Sequence, residues 1–393
     1  MRNSGISRAF ESLGTLVLAA GVTLPACRSE PPEKPRLRIG LLALLQGPGA
    51  ETSGQPSVDA ALLAAAVANE AGGIDVNGVV HEVEIIVRDH EPRADAAASA
   101  ARALINQEKI HAIVGPQLSR LAIPVSVVAE EARVPMLSPM SSNPATTKDK
   151  EFVFRVAFLD DVQSKLMARF AVRELGATRA AILFDRATAS GRMLSQAFAE
   201  AFESLGGSVV ARESYARDEV VDYSEQLRAI KATDPEVFYL PNDGYRVVAQ
   251  LKEARAVGIT ADLLGADTWD LTGFQDVPES HGAFIPHQWH PELDTEASRA
   301  FVDRYQQEYG EIPKVTAAMT FDAVRLILDA AEAQGAVRPE SIRDGLAATG
   351  GFEGVTGAVS YLDSHDPLRN VVVSRLVDGG SELFSVVEPP PPC

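Results

Sequence analysis

Ser119, Ser138, Ser141 and Ser142 sit in two short loops of one stretch, residues 110–144, which reads IHAIVGPQLSRLAIPVSVVAEEARVPMLSPMSSNP. Hydroxyls beside unpaired backbone amides at loop-to-helix junctions suit a small anion such as a carboxylate. The same residue types also serve as plain turn and cap groups. Where the chain places them decides between the two roles. A short apolar run, Ala112 to Val114, ends at Gly115-Pro116, and a second, Val134 to Leu137, ends at Ser138-Pro139. Each reads as a buried strand running out into one of the loops, with a helical pattern from about Leu121 to Arg133 between them. The carboxyl ends of strands in an open α/β sheet are where ligands bind.

The elements around this stretch fit such a sheet. Leu37 to Leu45 is a continuous apolar run suited to a strand buried on both faces. Ala-rich helical patterns over 57–71 and 94–107 flank an alternating strand at 83–89, and a strand at 152–156 closes the unit. A second unit repeats the plan. Helices are predicted over 161–175, 193–205, 223–232 and 245–257, and strands over 179–184, 208–215, 236–240 and 262–266. A further strand at 282–288, helices at 297–309, 316–334 and 339–348, and strands at 370–377 and 383–387 finish the chain. Alternating strands and helices make an α/β protein with two Rossmann-like parallel-sheet lobes.

Charge excludes one class of partner. The 393 residues hold 36 Lys and Arg against 54 Asp and Glu, a formal net charge of −18. Phosphate binding needs basic surface, so nucleic acid is not a partner. The same charge favours a soluble monomer.

Motifs for catalysis fail on their chemistry. Gly49 to Gly54 has phosphate-loop spacing, but Gln55-Pro56 follows where Lys and Ser or Thr are needed. There is no GxGxxG after a strand and no GxSxG elbow. His281, His287 and His290 lie close in sequence, with no Cys nearby, and read as a solvated loop rather than a zinc site. Trp269 and Trp289 read as core. The acid pairs Asp160-Asp161 and Glu130-Glu131 read as solvated helix faces. No nucleophile, base or metal set is assembled, so no enzyme, cofactor or metal is expected.

The first residues are an address. Arg2 and Arg8 precede an apolar stretch over 13–24, too short for a stable span, and then Leu24-Pro25-Ala26-Cys27. The pattern resembles a bacterial lipobox, in which the signal is cut before Cys and the Cys is lipidated. Cys27 and Cys393 are the two cysteines, at opposite ends, so no disulfide framework is expected. Residues 28–36 read as a Pro-rich tether and 388–393 as a Pro-rich tail.

The order of short motifs resembles the type I periplasmic binding proteins, specifically the branched-chain amino-acid (Leu/Ile/Val) receptors of ABC transporters. They are Gly47-Pro48, Asn69-Glu70-Ala71-Gly72-Gly73, Gly115-Pro116 with Ser119, Ser138-Pro139, Phe154-Arg155 with Asp161 and Gln163, Phe321-Asp322-Ala323-Val324 and Gly354-Val355-Thr356-Gly357. The resemblance implies two α/β lobes joined by three hinge crossings, near 155–159, 281–285 and 358–362. The domains are then a signal at 1–26, a lipidated Cys and tether at 27–36, lobe 1 at 37–156 plus 284–359, and lobe 2 at 157–283 plus 360–387. It implies that Ser119 and Ser142 bind a ligand α-carboxylate, that the Met140 backbone holds the amino group, and that Asp267 pairs with the ammonium. Ser190-Gly191 stands where the family often has Tyr-Gly. Asn242-Asp243-Gly244 and Thr52-Ser53 stand where aromatics are frequent. Ser190, Asp243 and Ser53 are therefore expected on the ligand, which would be an amino acid, an amide or a small peptide. The implied role is a lipid-anchored solute receptor in the bacterial cell envelope, delivering to a transporter permease. A sensor or cell-wall-regulatory lipoprotein of the same fold is the alternative.

Overall fold

The computed structural model describes residues 34–216, 222–242, 244–271, 277–361 and 364–388. The signal, Cys27, Asp243 and the tail from 389 lie outside them. The first run of elements is β1 (Arg36–Ala43), α1 (Gln55–Glu70), β2 (Ile74–Val76), β3 (Val79–Asp89), α2 (Ala94–Gln107), β4 (Ala112–Val114), α3 (Ser119–Ala132), β5 (Met136–Ser138) and β6 (Val153–Arg155). The second is α4 (Asp160–Arg173), β7 (Arg179–Asp185), α5 (Ala189–Ser204), β8 (Ser208–Tyr215), α6 (Ser224–Ala232), β9 (Val237–Tyr239), α7 (Gly244–Ala256), β10 (Asp262–Leu264) and β11 (Phe284–His287). After these come α8 (Glu296–Tyr309), α9 (Val315–Gln334), α10 (Pro339–Ala347), β12 (Phe352–Gly354), β13 (Gly357–Val359), β14 (Val371–Val377) and β15 (Gly380–Val387).

Two sheets result, ordered β2-β3-β1-β4-β5-β6 and β15-β14-β11-β10-β9-β7-β8. β1 pairs in parallel with β3 and β4, and β4, β5 and β6 continue in parallel. In the second sheet β8, β7, β9, β10 and β11 are parallel, and β14 and β15 add antiparallel. The hydrophobic run of β1 is the reason it lies centrally. From Ile39 to Ala43 its apolar side chains are fully enclosed, with helices on both sides of the sheet. The small β2–β3 hairpin was not predicted. It turns at Asn77-Gly78, both at positive φ, the conformation that such a pair adopts most readily.

The chain then interleaves the lobes. Phe301, Tyr305, Phe321, Ile327 and Leu346, from the helices after β11, share one core with Ile39, Leu41 and Val114 of the first sheet. The last two strands return to the second sheet. The expected boundary at 283/284 gives β11 to the first lobe. β11 instead pairs with β10 and β14, so the middle crossing follows His287. A short apolar strand carries no mark in sequence of which sheet will take it.

The crossings are tied to one another. The Arg155 amide donates to the His365 carbonyl (3.3 Å), and the Tyr361 hydroxyl donates to the Arg155 carbonyl (2.9 Å). The Phe158 amide donates to Gln288 Oε1 at 3.2 Å.

Candidate ligand-binding site

β4 and β5 deliver their loops side by side at the carboxyl edge of the first sheet. β4 leaves through Gly115, at φ +92, where a Cβ would lie 2.4 Å from the Leu42 carbonyl oxygen. Only glycine meets both demands. The loops are then knitted by hydroxyls. Ser138 Oγ donates to the Pro116 carbonyl (3.1 Å), and Ser141 Oγ donates to Ser119 Oγ (2.9 Å). Ser141 Oγ also lies 2.7 Å from Thr146 Oγ1. A hydroxyl has one hydrogen. Since Ser141 spends its own on Ser119, Thr146 donates to Ser141. The chain Thr146→Ser141→Ser119 therefore ends with the Ser119 oxygen already accepting, and its hydrogen available to an acceptor.

Arg155, at the end of β6, fixes the second loop from below. It is fully buried, and burial lowers its pKa against the pull of Asp366. Nη1 donates to the Ser141 carbonyl (2.7 Å), and Nη2 donates to the Asn143 carbonyl (2.8 Å) and Thr147 Oγ1 (2.7 Å). Nε pairs with Asp366 at 2.5 Å. After Ser142 the chain makes one short 3-10 turn, Pro144–Thr146, capped by the Asn143 side chain.

The second lobe brings acids to the same edge. Asp160 opens α4 directly after the first crossing, and Asp267 follows β10. Burial raises the Asp160 pKa, opposed by a hydrogen bond from the Ser142 side chain and by Arg155. Asp267 is pushed up to about 7, first by burial and then by the charge of Asp160. Gln163, His287 and the Thr268 amide work against that rise. Gln163 Nε2 donates to Asp267 Oδ1 (3.2 Å), while the Asp267 amide donates to Gln163 Oε1 (3.2 Å). Tyr239, hydrogen-bonded to Ser164 at 2.8 Å, feels both acids, and its pKa is raised chiefly by burial. The turn into Asp267 is tight. A Cβ on Gly265 would lie 2.6 Å from the Trp269 ring, whose Nε1 donates to the Leu240 carbonyl.

Met140 and Ser142 lie in the loop after β5, Ser119 opens α3 and Asp267 opens a short 3-10 turn after β10, with Met140 half-buried against the first-lobe core. Ser53 sits in the helical turn before α1, where its carbonyl accepts the Ser57 hydroxyl. Ser190 is exposed in the first turn of α5, behind the Thr188 cap. Asp243 is outside the described residues. Two readings are corrected. Asp160 is not a solvated face, although Asp161, paired with Lys165 at 2.6 Å, is closer to one. His287 and His290 are buried rather than in a solvated loop, because His287 is the last residue of a central strand. Trp269 and Trp289 are core, as expected. Asp160, Gln163, Tyr239 and Arg155 were missed as site residues. The acid five residues after the buried arginine was the available signal. Among the described residues no helix is long and apolar enough to cross a membrane, and no group of His, Cys, Asp and Glu has the arrangement of a metal site.

Comparison with known proteins agrees with this architecture. The family described as periplasmic binding protein matches residues 36–381. An amino acid binding protein of Pseudomonas aeruginosa is 30% identical over 200 residues, 51% of this chain and 52% of that protein. The chain thus matches about half the length of that relative. A leucine binding protein from Thermotoga maritima superposes with a TM-score of 0.73 at 27% identity, over 90% of this chain and 99% of the other. A branched-chain amino acid transporter substrate binding protein from Streptococcus pneumoniae, in complex with isoleucine, superposes with a TM-score of 0.73 at 26% identity, over 90% and 100%. With two mostly parallel sheets, an interleaved chain and the family match over most of its length, the chain belongs to the periplasmic binding protein family.

Proposed function

We propose that the protein is an extracytoplasmic solute receptor that holds an α-amino acid between its lobes and delivers it to an ABC-transporter permease. The observation that carries this is the opposed polarity of the two lobes. On the first, the hydroxyl chain ends in a Ser119 hydrogen able to donate to a carboxylate. On the second, Asp160 and Asp267 present acids, each with its pKa raised chiefly by burial, and the charge of Asp160 adds to the rise at Asp267. A zwitterion leaving water needs each charge met by an opposite charge or hydrogen bonds, and this pairing meets both. Ser142 changes side. Its hydrogen goes to Asp160, so toward a ligand it accepts. It serves the ammonium, with Asp267 and the Met140 backbone, and Ser119 serves the carboxylate. Relatives that bind leucine and isoleucine support an aliphatic side chain. Cys27 is the proposed lipid anchor.

The test is a thermal-shift and calorimetry series with leucine, isoleucine and valine against 4-methylpentanoate, which is leucine without its ammonium. A ligand at one hundred times its Kd stabilises by about 2.7 kcal/mol. The amino acids should produce that shift and 4-methylpentanoate should not. Equal binding of the two would remove the acids from the reading.

A further inference from the structure

The three crossings meet on one side chain. Arg369, in the third, is buried. Its Nη1 donates to the Val156 carbonyl in the first crossing (2.8 Å), and its Nη2 to the Gln288 carbonyl in the second (2.7 Å). Nη2 also donates to the Thr356 carbonyl at 3.0 Å, and Nη1 lies 3.4 Å from the Met319 sulfur. The turn that presents Thr356 is fixed by a buried acid. The Thr356 amide and hydroxyl donate to Asp322 Oδ2 at 2.9 and 2.6 Å, and the Val355 amide donates to Oδ1 at 2.8 Å. These residues are the Phe321-Asp322-Ala323-Val324 and Gly354-Val355-Thr356-Gly357 motifs, for which the ligand site has no use.

Burial lowers the Arg369 pKa to about 10, with Asp322 the main charge opposing the fall. The group is therefore charged at neutral pH. Carbonyl oxygens take its hydrogen bonds, and Nε has no acceptor among the described residues. A guanidinium is a planar fork with donors at fixed spacing, which a lysine ammonium does not reproduce. Lobe rotation changes backbone angles in the crossings, and so the separation of the Val156 and Gln288 carbonyls. The fork, bonded to both carbonyls at once, favours one separation over others.

We propose that Arg369 is the pivot of lobe closure, a positioning residue that sets the balance between open and closed lobes without touching the ligand. The test compares Arg369→Lys with the parent by small-angle X-ray scattering of the full chain without ligand, by leucine calorimetry and by thermal unfolding. Only the calorimetry rests on the amino-acid reading, so failure of leucine to bind leaves the scattering to decide. The expected result is a changed radius of gyration in the unliganded protein and a leucine affinity reduced by about five-fold or more. An unchanged radius, with a lower unfolding temperature alone or with altered affinity, overturns the proposal. If Arg369→Lys does not fold, Thr356→Val is measured in the same way. It removes the hydroxyl bond to Asp322 and loosens the turn under Nη2. A smaller change of the radius supports the pivot, and an unchanged radius overturns it.

Discussion

In Asp267→Asn the side chain keeps its shape and the acceptor for Gln163 Nε2, and loses its charge. The folded-state pKa is about 7 against an ordinary 3.8. An acid whose pKa is raised on folding binds its proton more tightly in the folded state. It therefore weakens the fold as pH rises from about 4 to 7, and the full cost is present above 7. Three pKa units correspond to roughly 4 kcal/mol. The asparagine variant should be more stable than the parent by up to about 4 kcal/mol at pH 8, by less than about 2 at pH 5, and by nothing near pH 3. The ligand should feel the reverse. An ammonium binds the ionised carboxylate, so the parent's leucine affinity should fall about ten-fold between pH 8 and pH 6. Binding near pH 7 should release a proton, seen as a heat that varies with the buffer. In the variant both pH effects should vanish, and leucine binding should weaken by about 3–5 kcal/mol for loss of a counter-charge to an enclosed ammonium. Urea unfolding and calorimetry across pH 5–8 measure every term. A variant that is no more stable at pH 8, or a parent whose affinity is flat with pH, would refute the placement of Asp267 as an enclosed acid that meets the ligand cation.

Ser119→Ala should weaken leucine binding by about 1.5–3 kcal/mol, less than Asp267→Asn, since it removes one hydrogen bond to a charged group; calorimetry ranks the two. Gly115→Ala should destabilise the fold by at least about 1–3 kcal/mol, because φ is +92 and the added Cβ meets the Leu42 carbonyl oxygen at 2.4 Å; chemical unfolding checks it. Cys27→Ser should leave an unprocessed, lipid-free precursor, and unchanged fractionation with membranes would end the anchor proposal. Saturation with leucine should lower the radius of gyration of the parent, as closure of two lobes requires.

Periodicity carried most of the fold. The spans of α2, β4 and β8 coincide with those read from the sequence, and most other elements differ by a few residues at their ends. Apolar runs and alternation are local signals, so they survive without tertiary information. What they lack is partner choice. β11 reads as a strand, and only pairing shows that it joins the second sheet. The site divided along the same line. Serines at strand ends were visible, but the direction of hydrogen bonding from Thr146 through Ser141 is a property of three side chains brought together. Asp160 and Asp161 looked alike as a sequence pair. Neighbours on a helix point in different directions, and only the fold sends one to Ser142 and the other toward Lys165. Asn77-Gly78 is a turn signal that went unread, because the strand before it is only three residues long.

The interleaving of the lobes also governs how the protein comes into being. The core of the first lobe waits for Ile327, Leu346 and Val359, and the second sheet waits for Val371 to Val387. Neither half can bury its full hydrophobic surface while the chain is still emerging from the ribosome. Contacts between residues this far apart in sequence form slowly. A chain so arranged cannot complete either core until its last elements have been made. The order of the strands along the chain thus delays the finished fold of both lobes to the end of synthesis.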